Sequence, residues 1–326
     1  MEAVVREPFR VAVLDDYQNV ALASADWSAL DGRVSVTVFN DHLADPDAVV
    51  ARLRPFEIVC VMRERTPMTR AIIEQLPSLR LIASTGPGNA SIDLAAAAER
   101  LVQVVHTGYW SAPTVELTWA LILADARNLV TEATALRSGG WQKSIGGDLK
   151  GRTLGVLGLG NIGSAVAGVG KAFGMNLIAW SQNLTAERAA ATGAALVSKE
   201  ELFRQADIVS IHLLLSRRTR GLVGTLELGL MKRTARLVNT SRGPIVDEAA
   251  LVDALQKGQI GGAAIDVFDQ EPLPPNHPFR RLPNVLATPH IGYVSRGLYQ
   301  RFYQDTVDNI SNWLAAMDAE TRADGR

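Results

Sequence analysis

Three polar residues stand just past short apolar runs. ARLVNTS delivers Arg242, GAAIDVF leads to Glu271, and NVLATP runs up to His290. A guanidinium meets a carboxylate through a planar fork of donors. An imidazole moves protons near neutral pH, and a carboxylate beside it steers the ring and favours its charged form. The three types together suit an anionic substrate that gains or loses a proton. Each apolar run reads as a buried parallel strand, and side chains just beyond the carboxyl ends of such strands gather in one crevice. Taken singly, Arg242 also suits a helix cap, Glu271 a solvated turn before Pro272, and His290 a strand-end loop. Three such residues at successive strand tips argue for a shared site.

Upstream, RTLGVLGLGNIGSAVAGVGKAFG sets Gly158, Gly160 and Gly163 in GxGxxG spacing, directly after a strand and opening a helix. Gly158 permits a tight turn, Gly160 lets the backbone approach a pyrophosphate, and Gly163 allows helix to pack closely on strand, while the helix N-terminus offers amides to phosphates. The next strand, NLIAW, follows about 20 residues on, as a dinucleotide fold requires. That strand should end in an acid that takes the adenosine ribose hydroxyls. The sequence reads Ala179-Trp180-Ser181-Gln182-Asn183 instead, with Ser181 at the expected acid. No anion there repels a 2′-phosphate, and no adjacent arginine grips one, Arg188 lying in the next helix. The choice between NAD and NADP stays open.

Strand and helix patterns alternate along the chain, which gives parallel sheets with right-handed crossovers. A length of 326 residues exceeds one ordinary core and calls for two domains. In the first third, RVAVLDD, VSVTVFN, EIVCVM, LRLIAS and LVQVVH read as strands, separated by helical stretches such as DPDAVVARL and SIDLAAAAER. Thr114 to Arg137 lacks Gly and Pro and is expected as one long helix, with Pro113 in its first turn. A second α/β unit runs from about Gly151 to about His290, and a helix from Ser295 to Trp313 returns to the first domain. The expected fold is therefore α/β with two doubly wound parallel-sheet domains, residues 109–294 inserted into a domain made of 1–108 and 295–326.

Hydrophobic content of 47% supports large interiors, and a net charge of −1 offers no field for nucleic acid or an anionic membrane. Arg217, Arg218 and Arg220 read as a solvated face. The N-terminal stretch breaks its apolar runs with charges too often for a signal peptide, and no later run reaches about 18 apolar residues, so a cytoplasmic location is expected. Cys60, the single cysteine, lies in an apolar run and reads as a buried structural thiol. His42, His106 and His277 show no partner pattern, and no metal-ligand spacing appears.

Nearly the whole chain resembles the D-isomer-specific 2-hydroxyacid dehydrogenases, the family of phosphoglycerate dehydrogenase and glyoxylate/hydroxypyruvate reductases. GLGNIG, LVNTSRGPIVDEAALVDAL, AAIDVFDQEPLP and NVLATPHIG carry the resemblance in the family's order and spacing. It implies a Rossmann cofactor domain inserted into a flavodoxin-like substrate domain, a cleft between them, and a homodimer built through the cofactor domains. Carried over, it makes Arg242 the anchor of the substrate carboxylate and polariser of its keto group, His290 the proton donor and Glu271 its orienter. Asp266 matches the contact to the nicotinamide amide, and Asn161, Ile162, Thr240 and Ser241 match dinucleotide-contacting positions. His212 falls where the family lines the cofactor with backbone. Arg63 matches an arginine that approaches substrate, though an ion pair with Glu64 competes for it. Ser84 to Asn89, with Gly86 and Gly88, matches a loop whose amides hold the carboxylate. Glu64 and Pro87 depart from the family there. Tyr109, Trp110 and Trp141 are candidates to line the cleft. The implied reaction is hydride transfer between NAD(P)H and a 2-keto acid such as glyoxylate, hydroxypyruvate or phenylpyruvate, with no appended regulatory domain. Two other readings share the fold. Formate dehydrogenase uses Gln where this chain has Glu271, and a dinucleotide-sensing corepressor binds protein partners for which no motif is present here.

Overall fold

The structure, a computed structural model, describes residues 7–324; the first six and last two residues, assigned above to the domain made of 1–108 and 295–326, lie outside them. The chain divides into two units, one running to Trp110 and resuming at Ser295, the other spanning Ser111–Val294.

The first unit opens with β1 (Phe9–Val13), β2 (Val34–Val38), α1 (Pro46–Leu53), β3 (Ile58–Val61), α2 (Arg70–Ile73), β4 (Leu81–Ser84), α3 (Leu94–Glu99) and β5 (Gln103–His106). Aspartates start two of these helices: Asp45 accepts from the Asp47 amide ahead of Pro46, and Asp93 accepts from Ala96. The five strands pair in parallel in the order β2-β1-β3-β4-β5, the flavodoxin-like arrangement. β3 and β4 are buried throughout, so their Val and Ile side chains meet helices on both faces. Leu53, Val59, Ile73, Leu76 and Ile82 form the centre of one apolar cluster.

The inserted unit holds α4 (Ala112–Ala126), α5 (Leu129–Arg137), β6 (Thr153–Leu157), α6 (Asn161–Ala172), β7 (Asn176–Trp180), α7 (Ala186–Ala191), β8 (Ala195–Leu196), α8 (Lys199–Gln205), β9 (Ile208–Ile211), α9 (Thr225–Leu230), β10 (Arg236–Asn239), α10 (Glu248–Gln256), β11 (Gly262–Ile265) and β12 (Val285–Ala287). Its seven strands lie in the order β12-β11-β10-β9-β6-β7-β8, all parallel. This is the Rossmann order with β12 added at one border, and it reverses direction between β6 and β9. Alternate residues feed opposite faces: Leu157, Leu237 and Ile265 join Leu202, Phe203 and Phe268 in one core, whereas Val156, Val238 and Ala264 join Trp119 and Val166 in the other. Each buried Leu, Ile or Val contributes about 1.5–3 kcal/mol relative to exposure.

The expected single helix over 114–137 is two. Asn128 takes a left-handed conformation, φ 50°, and α5 restarts at Leu129. Asparagine is one of the few residues that enters this region at small cost, so a helix can break without glycine or proline. The chain ends the first unit with α11 (Arg296–Asp324), longer than expected, whose Leu298, Phe302, Ile310 and Leu314 are buried.

Candidate active site

The dinucleotide turn sits at the reversal of strand order. Gly158 follows β6 with φ 102°, and a Cβ there would stand 2.7 Å from the His212 carbonyl oxygen beyond β9. Gly163 packs so tightly that a Cβ would fall 2.0 Å from the Gly158 carbonyl oxygen. Gly160 faces open space, with nothing within 4 Å of a Cβ. The first helical bond of α6 runs from the Ser164 amide to the Gly160 carbonyl, 2.8 Å, so the amides of Asn161, Ile162 and Gly163 precede the ladder and point out of the helix end. An open glycine face beside unpaired helix-start amides fits a pyrophosphate.

Leu157 of β6 pairs with Trp180 of β7 on one side and Ile211 of β9 on the other, so Ser181, Gly158 and His212 leave the sheet at one level. Asn239, Ile265 and Ala287 likewise lie in register at the ends of β10, β11 and β12. Thr240 is buried with its hydroxyl 2.7 Å from that of Thr118, and Ser241 donates its hydroxyl to the Leu213 carbonyl. These two bonds fix the turn after β10 against α4 and against the loop after β9.

Arg242 extends from that turn. Its guanidinium donates to the Ser241 carbonyl at 2.8 Å, and buried Asn239 braces the turn by donating to the Arg242 carbonyl and accepting from the Ser241 amide. Gly243 lies directly on the next turn: a Cβ would be 2.1 Å from the Phe268 carbonyl carbon. The Phe268 amide donates to Glu271 Oε1 at 2.9 Å. Glu271 Oε2 in turn stands 2.5 Å from His290 Nδ1, with about a quarter of the imidazole exposed. The Tyr293 ring meets the His290 ring edge to face at 5.3 Å. The structure thus joins Glu271 to His290 through a direct bond, and joins the turn of Arg242 to that of Glu271 through backbone packing at Gly243.

Asp266 is wholly buried at the tip of β11, and burial raises its carboxyl above the ordinary aspartate range despite the donors around it. Oδ1 accepts from the Thr288 hydroxyl at 2.6 Å and the Ile291 amide at 2.9 Å, and Oδ2 accepts from the Gly292 amide at 2.8 Å. These donors bracket His290, whose own backbone is left-handed at φ 52°. Asp266 therefore shapes the loop that presents the imidazole. Asn239, Gly243, Thr288 and Tyr293 were not singled out from the sequence. Only Asn239, a polar residue ending an apolar strand before Thr-Ser-Arg, carries a local signal for a side-chain-braced turn.

In the first unit, Arg63 has φ 53°, donates to the Thr85 carbonyl and lies over the Tyr109 ring. The Gly86 amide donates to the Thr107 hydroxyl at 2.8 Å, so it is not a spare donor as expected; its missing side chain instead makes room for Arg63, whose Nη1 would be 1.9 Å from a Cβ. Gly88, φ 63°, has open space around it. Trp110 is partly exposed, and Trp141, in the inserted unit, is 74% exposed. His42 and His277 have the carboxylate partners that no pattern announced, Asp15 at 2.9 Å and Glu248 at 3.0 Å. His106 is exposed, and desolvation pushes His212 down to about 3, leaving it neutral beside the Ser210 hydroxyl. Burial pushes the Cys60 thiol up to about 12, which makes it inert. Among the described residues no cluster of His, Cys, Asp and Glu could hold a metal ion, and no helix is long and apolar enough to cross a membrane.

Residues 119–292 match the family model of the D-isomer specific 2-hydroxyacid dehydrogenase NAD binding domain. A glyoxylate reductase of Aeropyrum pernix is 44% identical over 73% of this chain and 74% of its own length. A D-3-phosphoglycerate dehydrogenase of Methanocaldococcus jannaschii is 42% identical over 72% of this chain, which spans 45% of that longer protein. The crystal structure of a phosphoglycerate oxidoreductase from Vibrio cholerae o395 superposes with a TM-score of 0.90 at 38% identity, covering 94% of this chain and 99% of that one. A Rossmann turn that fits a pyrophosphate, a carboxylate-held histidine at the same sheet edge and these likenesses lead to one conclusion: the chain belongs to the D-isomer-specific 2-hydroxyacid dehydrogenases, NAD(P)-dependent oxidoreductases.

Proposed function

We propose that the chain reduces an unphosphorylated 2-keto acid, of the size of glyoxylate, hydroxypyruvate or phenylpyruvate, to its D-2-hydroxy acid. The Glu271–His290 pair carries this reading. A carboxylate on Nδ1 fixes that nitrogen as the inner donor and leaves Nε2 to face substrate. Arg242 binds the substrate carboxylate and draws electron density toward the keto oxygen. A bound reduced nicotinamide would supply the hydride that the keto carbon accepts. As the carbonyl π pair moves onto oxygen, His290 delivers its Nε2 proton there and is left neutral, with Glu271 holding the ring in line. The Asn161, Ile162 and Gly163 amides would hold the pyrophosphate of the dinucleotide beside Gly158 and Gly160, Ser181 would serve the adenosine ribose, and Thr240, Ser241 and Asp266 would serve the nicotinamide end. The inserted unit, expected from sequence as residues 109–294 and found to begin at Ser111, thus serves as the cofactor domain and the remainder as the substrate domain, where Arg63 and the Gly88 amide contact substrate. Glu64 beside Arg63 offsets the positive charge a phosphate ester would need.

The working form in this proposal is a cytoplasmic homodimer. α5 buries none of its residues, and Leu129, Val130, Leu136, Trp141 and Ile145 stand exposed on it and on the segment after it. Glu132 pins that segment by accepting from the Lys143 and Ser144 amides. An ordered apolar surface of this kind suits coverage by a second copy. Trp141→Glu with Ile145→Glu is expected to shift the mass seen by light scattering to that of one chain. For the activity, a panel of 2-keto acids is assayed with NADH and NADPH. Turnover of none, with tight dinucleotide binding, would move the protein to the corepressor-like class.

A further inference from the structure

We infer that this enzyme selects NADPH over NADH, through an acid-free turn after β7 and an arginine-tipped loop after β9. The inference rests on the dehydrogenase reading. In a Rossmann fold an acid after the second strand accepts from the ribose hydroxyls and repels a 2′-phosphate. Here Ser181, Gln182 and Asn183 occupy that turn, and its first backbone contact is the Leu184 amide on the Ser181 carbonyl. The nearest acid in sequence, Glu187, lies beyond the turn in the first turn of α7, where Thr185 caps the helix by accepting from the Arg188 amide.

The loop after β9 is a hydrogen-bonded turn: the Thr219 hydroxyl donates to the Leu214 carbonyl at 2.6 Å and accepts from the Ser216 amide at 2.8 Å, and the Arg220 amide returns to the Ser216 carbonyl at 3.0 Å. Its tip consists of Arg217 and Arg218. Both are exposed, and neither forms an ion pair among the described residues, whereas Arg220 faces the carboxyl of Asp269. Expected from sequence as a solvated face, the two cations stand on a braced turn at the carboxyl edge of the sheet. Register shows what they border. Trp180, Leu157 and Ile211 lie side by side, so only β6 separates the Ser181 turn from the start of the arginine loop, a backbone spacing of about 10 Å at roughly 4.8 Å per strand. The adenosine half of a dinucleotide lies across this edge, with its 2′ position toward the turn after the second strand. A doubly charged phosphate there meets hydroxyl and amide side chains on one side and two guanidinium groups on the other.

Dissociation constants for NADPH and NADH, from nucleotide fluorescence with the purified enzyme, test this without turnover. NADPH is expected to bind at least about tenfold tighter at low salt, with the advantage shrinking as salt rises. Ser181→Asp should reverse the order, since an opposed carboxylate costs a 2′-phosphate at least about tenfold. Arg217→Ser with Arg218→Ser should weaken NADPH and leave NADH where it was. Equal or tighter binding of NADH by the unaltered enzyme overturns the inference, as does a double variant that loses both nucleotides alike or neither. Binding of neither nucleotide by the unaltered enzyme defeats the dehydrogenase reading itself, and this inference with it.

Discussion

Asp266→Asn tests whether the His290 loop depends on one buried carboxylate. The side chain keeps its volume, but an amide has one acceptor oxygen where the carboxylate has two. With that oxygen at the Oδ1 position, the bonds from the Thr288 hydroxyl and the Ile291 amide survive, and the amide nitrogen is turned against the Gly292 N–H that Oδ2 accepts at 2.8 Å. Losing one bond to a charged acceptor and burying an unmet donor costs about 2–3 kcal/mol. For a unit of this size that lowers the midpoint of thermal unfolding by about 5–10 °C. A loop so loosened holds the imidazole less well, and misplacement on the order of 1 Å costs about 100-fold in turnover. Steady-state kinetics of keto-acid reduction should therefore show kcat falling on the order of 10- to 100-fold, with KM changed far less. pH adds a second reading. Because burial raises the Asp266 carboxyl, the folded chain binds its proton more tightly than an unfolded chain, whose aspartate titrates near about 4. Stability from this group is fully present below that value and declines as pH rises toward the folded value. The advantage of the parent over Asp266→Asn, measured by denaturant unfolding, should shrink over that window and then level. An unchanged kcat, or an advantage that grows with pH there, would refute the role given to Asp266.

Further outcomes follow from the same contacts. Gly243→Ala, whose Cβ would press on the Phe268 backbone, should cut kcat at least about tenfold in the same assay while leaving dinucleotide binding intact. Gly163→Val should abolish dinucleotide binding, because α6 cannot stay against the Gly158 carbonyl; titration with either coenzyme checks this. Arg242→Lys keeps the charge and loses the planar fork, so kcat/KM should fall about 10- to 100-fold. Cys60, buried and with its thiol pushed up to about 12, should resist alkylation in the folded protein and react only after denaturation, read by mass spectrometry.

What the sequence displayed were features written in consecutive residues. The strands are apolar runs, and Arg242, Glu271 and His290 follow such runs directly, so the parallel architecture and the acid–imidazole pair were legible together. The break at Asn128 was not, because helix periodicity continues across it and only a single left-handed residue interrupts the ladder. The capture of the Gly86 amide by Thr107 and the grip of Asp266 on residues 288–292 were hidden for another reason. Both join groups more than 20 residues apart, and nothing in either local stretch names its partner. The contact of Gly243 with Phe268 is of the same type: a glycine shows that room is needed, not what occupies it.

The seven-stranded sheet ends in β8, two residues long, and β12, three residues long. Unpaired amides and carbonyls along a sheet border are templates on which another chain can add a strand and begin fibre growth. Borders this brief offer too few consecutive groups to hold a stranger in place, so crowding of the folded protein should favour clear solution over aggregates nucleated at the sheet margin.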